Sequence, residues 1–242
     1  MLKRVSVDTI LVMSKYQGVK TLEVLEGADN YNRWIADKIR PYINGKALEL
    51  GAGTGNISAY FKGNSSITLS DNDSGLVKLL REKFANLKNI NFEVLDIEKR
   101  FLSTKYTTVF SVNVFEHIKN DLVALKNVNA MLKTGGKIVM LVPAKRFAFN
   151  NLDKELGHYR RYEKKELEEK LQKAGFEVEK IQFFNILGLL SWIVRDKISR
   201  NDTHLKPYQV KLFDSIVPIL KRVERLVTLP IGISLITIAR KK

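Results

Sequence analysis

The stretch "ALELGAGTGNIS" (47–58) decides the fold. Ala47–Leu50 is a short apolar run with one acid inside it, and it enters a turn with glycine at 51, 53 and 55. A helix is predicted to follow through "NISAYFK". Strand, glycine turn and helix in that order are the opening of a β-α unit in a mostly parallel sheet. The glycines permit tight turning and close approach of a ligand to the backbone, and a helix start offers unpaired N–H groups. In open α/β sheets ligands lie at the carboxyl ends of strands, where this turn sits.

A nicotinamide-dinucleotide fingerprint fits poorly. The spacing is GxGxG, and Asn56 stands where that fingerprint has its third glycine. Glu49, two residues before Gly51, would be buried at the strand end, and a buried carboxylate needs a cation or donors. A ligand ammonium group would satisfy it.

Further strands are expected at "SITLS" (66–70), "INFEVL" (90–95), "TTVFSVN" (107–113), "KIVMLVP" (137–143), "FEVEKIQFF" (176–184) and "SLITIAR" (234–240). Helices alternate with them: "YNRWIADKIRPYI" with Ile35, Ile39 and Ile43 on one face, "SGLVKLLREKFANL", "DLVALKNVNAML" with a stop near Gly135 and Gly136, and "KKELEEKLQKAGF". Asp71, 22 residues after Glu49, is placed to accept the hydroxyls of a ribose. Asp96 could accept from the exocyclic amine of adenine, with Ile97 covering the ring. Acids at the ends of three successive strands suit a cofactor with an ammonium group, a ribose and an adenine.

With these residues in hand, the chain resembles the class I S-adenosylmethionine-dependent methyltransferases. "LELGAGTG" is similar to their first motif, "LSDND" to the acidic end of their second strand, and "VLDIEK" to their adenine-contact motif. "FSVNVFEHI" resembles their fourth-strand motif, and "MLKTGGKIVMLVP" their helix–PGG–strand segment, with Thr134 in the usual proline position. The resemblance implies a Rossmann-like, seven-stranded, mostly parallel sheet with an antiparallel last strand. It implies S-adenosylmethionine as cofactor, S-adenosylhomocysteine as product, and no metal. Methionine-moiety contacts are implied for Glu49 and for Gly51, Ala52, Gly53, Gly55 and Asn56 of the turn. Ribose contacts are implied for Asp71 with its neighbour Asn72, adenine contacts for Asp96 and Ile97, and a site floor for Asn113 and Val114. Tyr31 and Trp34 fall where many members have an amino-terminal helix closing over the cofactor.

Acceptor chemistry is expected near "ELGHYRRYEKKEL" (155–167), after the fifth strand. His158, beside Tyr159, is a candidate base, needed only where the acceptor must lose a proton. Arg160 and Arg161 are candidates for holding an anion, because guanidinium forks pair with carboxylate or phosphate. The alternative is a basic lead-in to a helix with Tyr162 docked on the core. His117 in "FEHI" reads first as an orienting residue and second as a catalytic one; His204 reads as surface.

One domain is expected: an N-terminal helical cap (1–45), a cofactor-binding core (46–185), a helical insertion (186–233) and the last strand (234–242). In "VKLFDSIVPILKRVERLV" of the insertion, Leu212, Phe213, Ile216, Leu220, Val223 and Val227 are assigned to one face, opposite Lys211, Lys221, Arg222 and Arg225. From Arg195 onward eleven Lys/Arg stand against four Asp/Glu, a large share of the +15 net charge. The insertion therefore reads as a substrate cap, a dimer interface or a peripheral membrane surface meeting anionic lipid. The expected acceptor is small or lipid-linked and anionic, methylated on oxygen; the expected state is monomer or homodimer. An RNA methyltransferase ranks lower, because no basic-aromatic platform is visible. A non-catalytic, membrane-associated cofactor-binding partner is the remaining alternative. The absence of cysteine excludes disulfides, thiolate metal sites and cysteine nucleophiles. The N-terminal segment shows no signal-peptide pattern and the longest apolar run, "FFNILGLLSWIV" (183–194), is too short to span a bilayer. A cytoplasmic location is expected, with attachment to the inner membrane face as a variant.

Overall fold

The computed structural model describes residues 19–61, 63, 66–198, 206–226 and 230–242. Seven strands form one sheet: β1 (Lys46–Leu50), β2 (Ser66–Asp71), β3 (Ile90–Val94), β4 (Tyr106–Val112), β5 (Leu132–Pro143), β6 (Phe176–Phe184) and β7 (Ser234–Lys241). Their order is β3-β2-β1-β4-β5-β7-β6. β7 runs antiparallel to both its neighbours, and the other pairings are parallel. This is the sheet expected from the sequence.

The sheet is apolar on both faces, as a helix-covered parallel sheet must be. Leu48, Leu50, Val109, Ile138, Met140 and Val142 pack on one side with helices α4 (Asp121–Met131) and α6 (Lys164–Lys173). Ala47, Phe110, Val139 and Leu141 pack on the other with α2 (Asp29–Ile39), α3 (Ser74–Lys83) and α8 (Pro207–Leu226). The remaining helices are α1 (Val19–Glu26), α5 (Asn151–Glu155) and α7 (Ile186–Ile198).

Two expected boundaries move. α4 stops at Met131, and β5 begins at Leu132, before the glycines at 135 and 136. After the glycine turn there is only a 3-10 turn, Ser58–Tyr60, in place of a full helix. Its backbone bonds are Ala59 N–H to Gly55, Tyr60 N–H to Ile57 and Phe61 N–H to Ser58. The turn therefore presents fewer aligned N–H groups than a long helix would.

α8 ties the two ends of the described chain together. α2 has no cap of its own, and its first N–H groups are met by Asp214 of α8: Tyr31 N–H donates to Oδ1 at 2.8 Å and Asn30 N–H to Oδ2 at 3.2 Å. Pro218 lies inside α8 and has no N–H for the Asp214 carbonyl four residues earlier; Asn30 Nδ2 donates to that carbonyl instead, at 3.2 Å. Glu224 does the same for α7, accepting from Asn185 N–H at 3.1 Å and Ile186 N–H at 2.9 Å.

The apolar pattern of α8 resolves into two stripes, which corrects the single face expected from sequence. Val217 and Leu220 are buried against the core with Phe213. Leu212, Ile216 and Val223 belong to an outer stripe with Tyr208, Ile219 and Leu226, all exposed. Val227 and His204 lie outside the described residues.

Candidate active site

The carboxyl end of β1 carries the chemistry. Glu49 is 3 % exposed, and Ser58 Oγ donates to its Oε2 at 2.6 Å. Burial pushes the Glu49 carboxyl up to about 8; the Ser58 hydrogen bond opposes this and the nearby Asp71 charge adds to it. The turn itself is held by backbone and carboxylate bonds. Ala52 N–H donates to the Ser70 carbonyl at 2.8 Å, and Gly53 N–H to Asp71 Oδ2 at 2.9 Å. Gly51 has φ +62°, and a Cβ there would stand 2.5 Å from Val114 Cγ2. A Cβ on Gly55, φ +79°, would meet Phe84 Cε2 at 2.6 Å. Both positions need glycine for conformation and for space.

Asp71 ends β2, and its other oxygen accepts from Asp73 N–H at 3.0 Å. Burial raises its pKa against these hydrogen bonds. Asn72 beside it is exposed. Asp96, beyond β3, accepts from Glu98 N–H at 3.1 Å and pairs with Lys99 at 2.8 Å. Its partial burial opposes ionisation, but these donors outweigh it and hold the carboxyl below its ordinary range. The three acids thus stand at the same edge of three adjacent strands. Ile97 is buried in the core, and Asn113 is exposed with φ +52°, its N–H donating to Leu141 at 2.9 Å. A non-glycine residue held in that region at a strand end is a strained position of the kind found at binding sites.

The segment over the turn is α1. Asn56 Nδ2 donates to the Leu22 carbonyl at 2.9 Å, and Lys83 joins Glu26 and the Thr54 carbonyl, each at 2.8 Å. The expectation that Tyr31 and Trp34 close over the cofactor needs correction here. Trp34 has no exposed surface and packs on Phe184 with ring centroids 4.4 Å apart, while Tyr31 stacks on Phe184 and meets Phe213. They join α2 to β6 and α8.

The rim after β5 is also built differently from the anion clamp expected of two arginines. Arg161 is 3 % exposed; its Nε donates to both oxygens of Asp153, at 2.9 and 3.0 Å, and its guanidinium lies 4.5 Å from the Trp192 ring centroid. Arg160 pairs with Asp121 at 2.7 Å and donates to the Lys119 carbonyl. Tyr162 is buried, and its hydroxyl donates to Asp121 at 2.9 Å. Only Tyr159 is turned fully outward, beside an open pocket of about 400 Å³ that Arg146, Phe149, Arg160 and Lys170 also line.

His158 Nδ1 lies 2.7 Å from Asp153 Oδ1, and its ring sits edge-to-face on His117 at 4.5 Å. Burial lowers the His117 pKa to about 4, aided by His158. Glu116 is wholly buried; burial pushes it up to about 7 although His158 and Arg161 act in the opposite direction. Sequence reasoning missed Ser58, Lys83, Glu116, Asp121 and Asp153. Asp153 had a readable signal: Asn150 and Asp153 form a capping box at α5, which fixes Asp153 beneath His158.

Known proteins share this fold. A family profile described as "Methyltransferase domain" matches residues 26–181, more than half of the chain. The malonyl-[acyl-carrier protein] O-methyltransferase 2 of Ilyobacter polytropus is 32% identical over 128 residues, 47% of this chain and 49% of that protein. The chain thus spans about half the length of the curated relatives it matches. Among solved structures, a chain of the complex between the Haloferax volcanii Trm112 methyltransferase activator and its methyltransferase aligns with TM-score 0.64 at 16% identity, covering 98% of this chain and 99% of that one. The Haemonchus contortus phosphoethanolamine N-methyltransferase 2, solved with S-adenosyl-L-methionine, aligns with TM-score 0.58 at 18% identity, over 88% of this chain and 52% of that one. The chain belongs to this methyltransferase-domain family, the S-adenosylmethionine-dependent class with the Rossmann-like fold.

Proposed function

We propose that the chain transfers a methyl group from S-adenosylmethionine to an oxygen of an anionic, lipid-linked acceptor at an anionic membrane surface. The observation that carries the donor half is Glu49: a buried carboxylate, raised to about 8, at the mouth of a glycine-rich turn. It fits the ammonium group of the methionine moiety, which would draw the carboxylate into its ionised form. Asp71 has lone pairs left for ribose hydroxyls, and Asp96 is held ionised to accept from an amine. When bound, the cofactor supplies an electrophilic methyl carbon on a sulfonium for in-line displacement. The chain's part is to bring the acceptor into line and exclude water, which can provide much of the rate.

For the acceptor half, the support is the outer stripe of α8. Tyr208, Leu212, Ile219, Val223 and Leu226 are each more than half exposed, and Leu190 and Val194 of α7 add to them. Lys211, Arg222 and Arg225 stand on the same helix, exposed. An apolar stripe flanked by cations fits a headgroup layer, each cation near an anionic surface contributing about 1 kcal/mol. Among the described residues no helix is long and apolar enough to cross a membrane, so the contact would be peripheral. The pocket beside Tyr159 would take the acceptor's anionic group, because its cations Arg146, Arg160 and Lys170 outnumber Glu166 and Asp121, the carboxylates that already engage them.

Calorimetry tests the donor half: Asp71→Asn should weaken S-adenosylhomocysteine by about 10- to 100-fold, the range for a charged hydrogen bond. Unchanged affinity would remove the ribose assignment. Flotation tests the membrane half, with vesicles of phosphatidylglycerol against phosphatidylcholine. The chain should float with the former, and a Leu212→Ser/Ile219→Ser double variant should not; equal flotation of both proteins, or none, would overturn it.

A further inference from the structure

Behind Tyr159, three side chains with metal-ligating atoms converge from two segments. Glu116 and His117 come from the 3-10 turn Phe115–His117 after β4, and His158 from the segment after β5. One ligand atom from each lies within 4.8 Å of the others. Glu116 is 0 % exposed, and neither of its carboxylate oxygens meets a hydrogen-bond donor. A carboxylate in that position is strongly unfavourable unless a cation or donors reach it.

The His158 imidazole is oriented as a ligand. Asp153 is buried and held ionised by Arg161, so it accepts from His158 Nδ1–H, and the lone pair of that ring is left on Nε2. This is the carboxylate–histidine arrangement that commonly backs a metal-bound imidazole. His117 is held by hydrogen bonds to the backbone of Leu156 and Gly157. With neutral imidazoles, Glu116, Asp153 and Arg161 leave one negative charge in the cluster, which a divalent cation would offset.

We propose that Glu116, His117 and His158 bind a divalent transition-metal ion, with Asp153 orienting His158 and the remaining coordination positions open to water or an acceptor oxygen. Two imidazoles and one carboxylate suit zinc, iron, manganese or cobalt, and three protein ligands with an open position are the pattern of reactive metal sites. Binding of the ion does not depend on the methyl-transfer reading. Under that reading it would acidify a hydroxyl acceptor beside the rim, as a metal does bound water.

The test uses the full chain, stripped with a chelator and titrated with Co²⁺ and then Zn²⁺, following cobalt absorption and the melting temperature. One ion per chain is expected, with visible cobalt bands that zinc abolishes and a zinc-dependent rise in Tm. Glu116→Gln and His158→Gln should each weaken cobalt by roughly 100-fold or more, since even outer partners of metal ligands are worth 10- to 100-fold. Calorimetry with S-adenosylhomocysteine on the same samples reports whether the cofactor site is intact, so its failure and that of the metal site are read separately. No stoichiometric cobalt spectrum in wild type, or the same titration in both variants, overturns the proposal. If the variants do not fold, the wild-type stoichiometry, spectrum and zinc-dependent Tm decide it.

Discussion

Replacing Glu49 by Gln perturbs the one group whose ionisation the proposed ligand should change. In the free protein the carboxyl is raised from 4.5 to about 8, so at pH 7 about one molecule in ten is ionised there. An ammonium group needs the ionised form. Binding at pH 7 should then release about 0.9 proton, and affinity should carry an ionisation cost of about 1.4 kcal/mol, rising to about 2.7 at pH 6 and vanishing above pH 9. Affinity for S-adenosylhomocysteine should climb about tenfold from pH 6 to 7, about tenfold again by pH 9, and then level off. In Glu49→Gln the proton release and the slope should both disappear, and affinity at pH 9 should fall about 10- to 100-fold with the charged contact. Stability moves in the opposite direction. The folded pKa of an acid is raised, so between 4.5 and about 8 the unfolded state binds fewer protons and wild-type stability falls as pH rises through that window. The full span corresponds to about 5 kcal/mol, present above pH 8 and absent below pH 4.5. The Gln variant should therefore melt higher than wild type at pH 8.5 and level with it at pH 4. Calorimetry in buffers of different ionisation enthalpy measures the protons. Release below about 0.2 proton at pH 7, or a pH slope preserved in the variant, would refute the reasoning.

Ser58→Ala removes the hydroxyl that donates to Glu49, and the midpoint of proton release should move about one pH unit higher, read in the same titration. Gly51→Ala places a methyl at φ +62° against Val114 and should destabilise by roughly 1–3 kcal/mol while weakening S-adenosylhomocysteine, as thermal melts and calorimetry would show. Asp214→Ala takes away the remote cap of α2 and should lower stability by about 1–2 kcal/mol, a Tm drop of about 2–8 °C.

The fold was legible because its apolar patterns are strong. The continuous burial of β1, β4 and the second half of β5, and the Leu76, Leu79, Leu80, Phe84 spacing along and just past α3, follow from the apolar pattern alone. The acids of the donor site were legible for a related reason: a charge in or just after a buried strand stands out, as Glu49, Asp71 and Asp96 do. The rim was not. Arg160 and Arg161 adjoin in sequence and look like one fork pair, yet each is engaged by a different carboxylate, Asp121 or Asp153, from a different part of the chain. The pairing of Arg160 with Asp121, 39 residues earlier, leaves no local trace. Trp34 misled for the opposite reason: on an amphipathic helix its position fits either a ligand or the core, and contact with Phe184 made it core.

The two stripes of α8 bear on how a membrane contact would work. Most amphipathic peptides that lie on a bilayer must form their helix as they bind, and the ordering opposes binding. α8 has that ordering supplied beforehand. Its inner stripe is packed under the sheet, Asp214 and Glu224 fasten it to α2 and α7, and Lys221 pairs with Asp37 of α2 at 2.5 Å. The outer stripe is therefore presented already formed, and its apolar burial against lipid would not be offset by folding. The same fastenings run to α2 at one end and to the start of α7 at the other, and Trp192 of α7 donates to the Ala148 carbonyl behind the rim at 2.9 Å. A surface that seats α8 would thereby fix the direction in which the pocket beside Tyr159 opens, which is what an enzyme acting on a lipid-held acceptor requires.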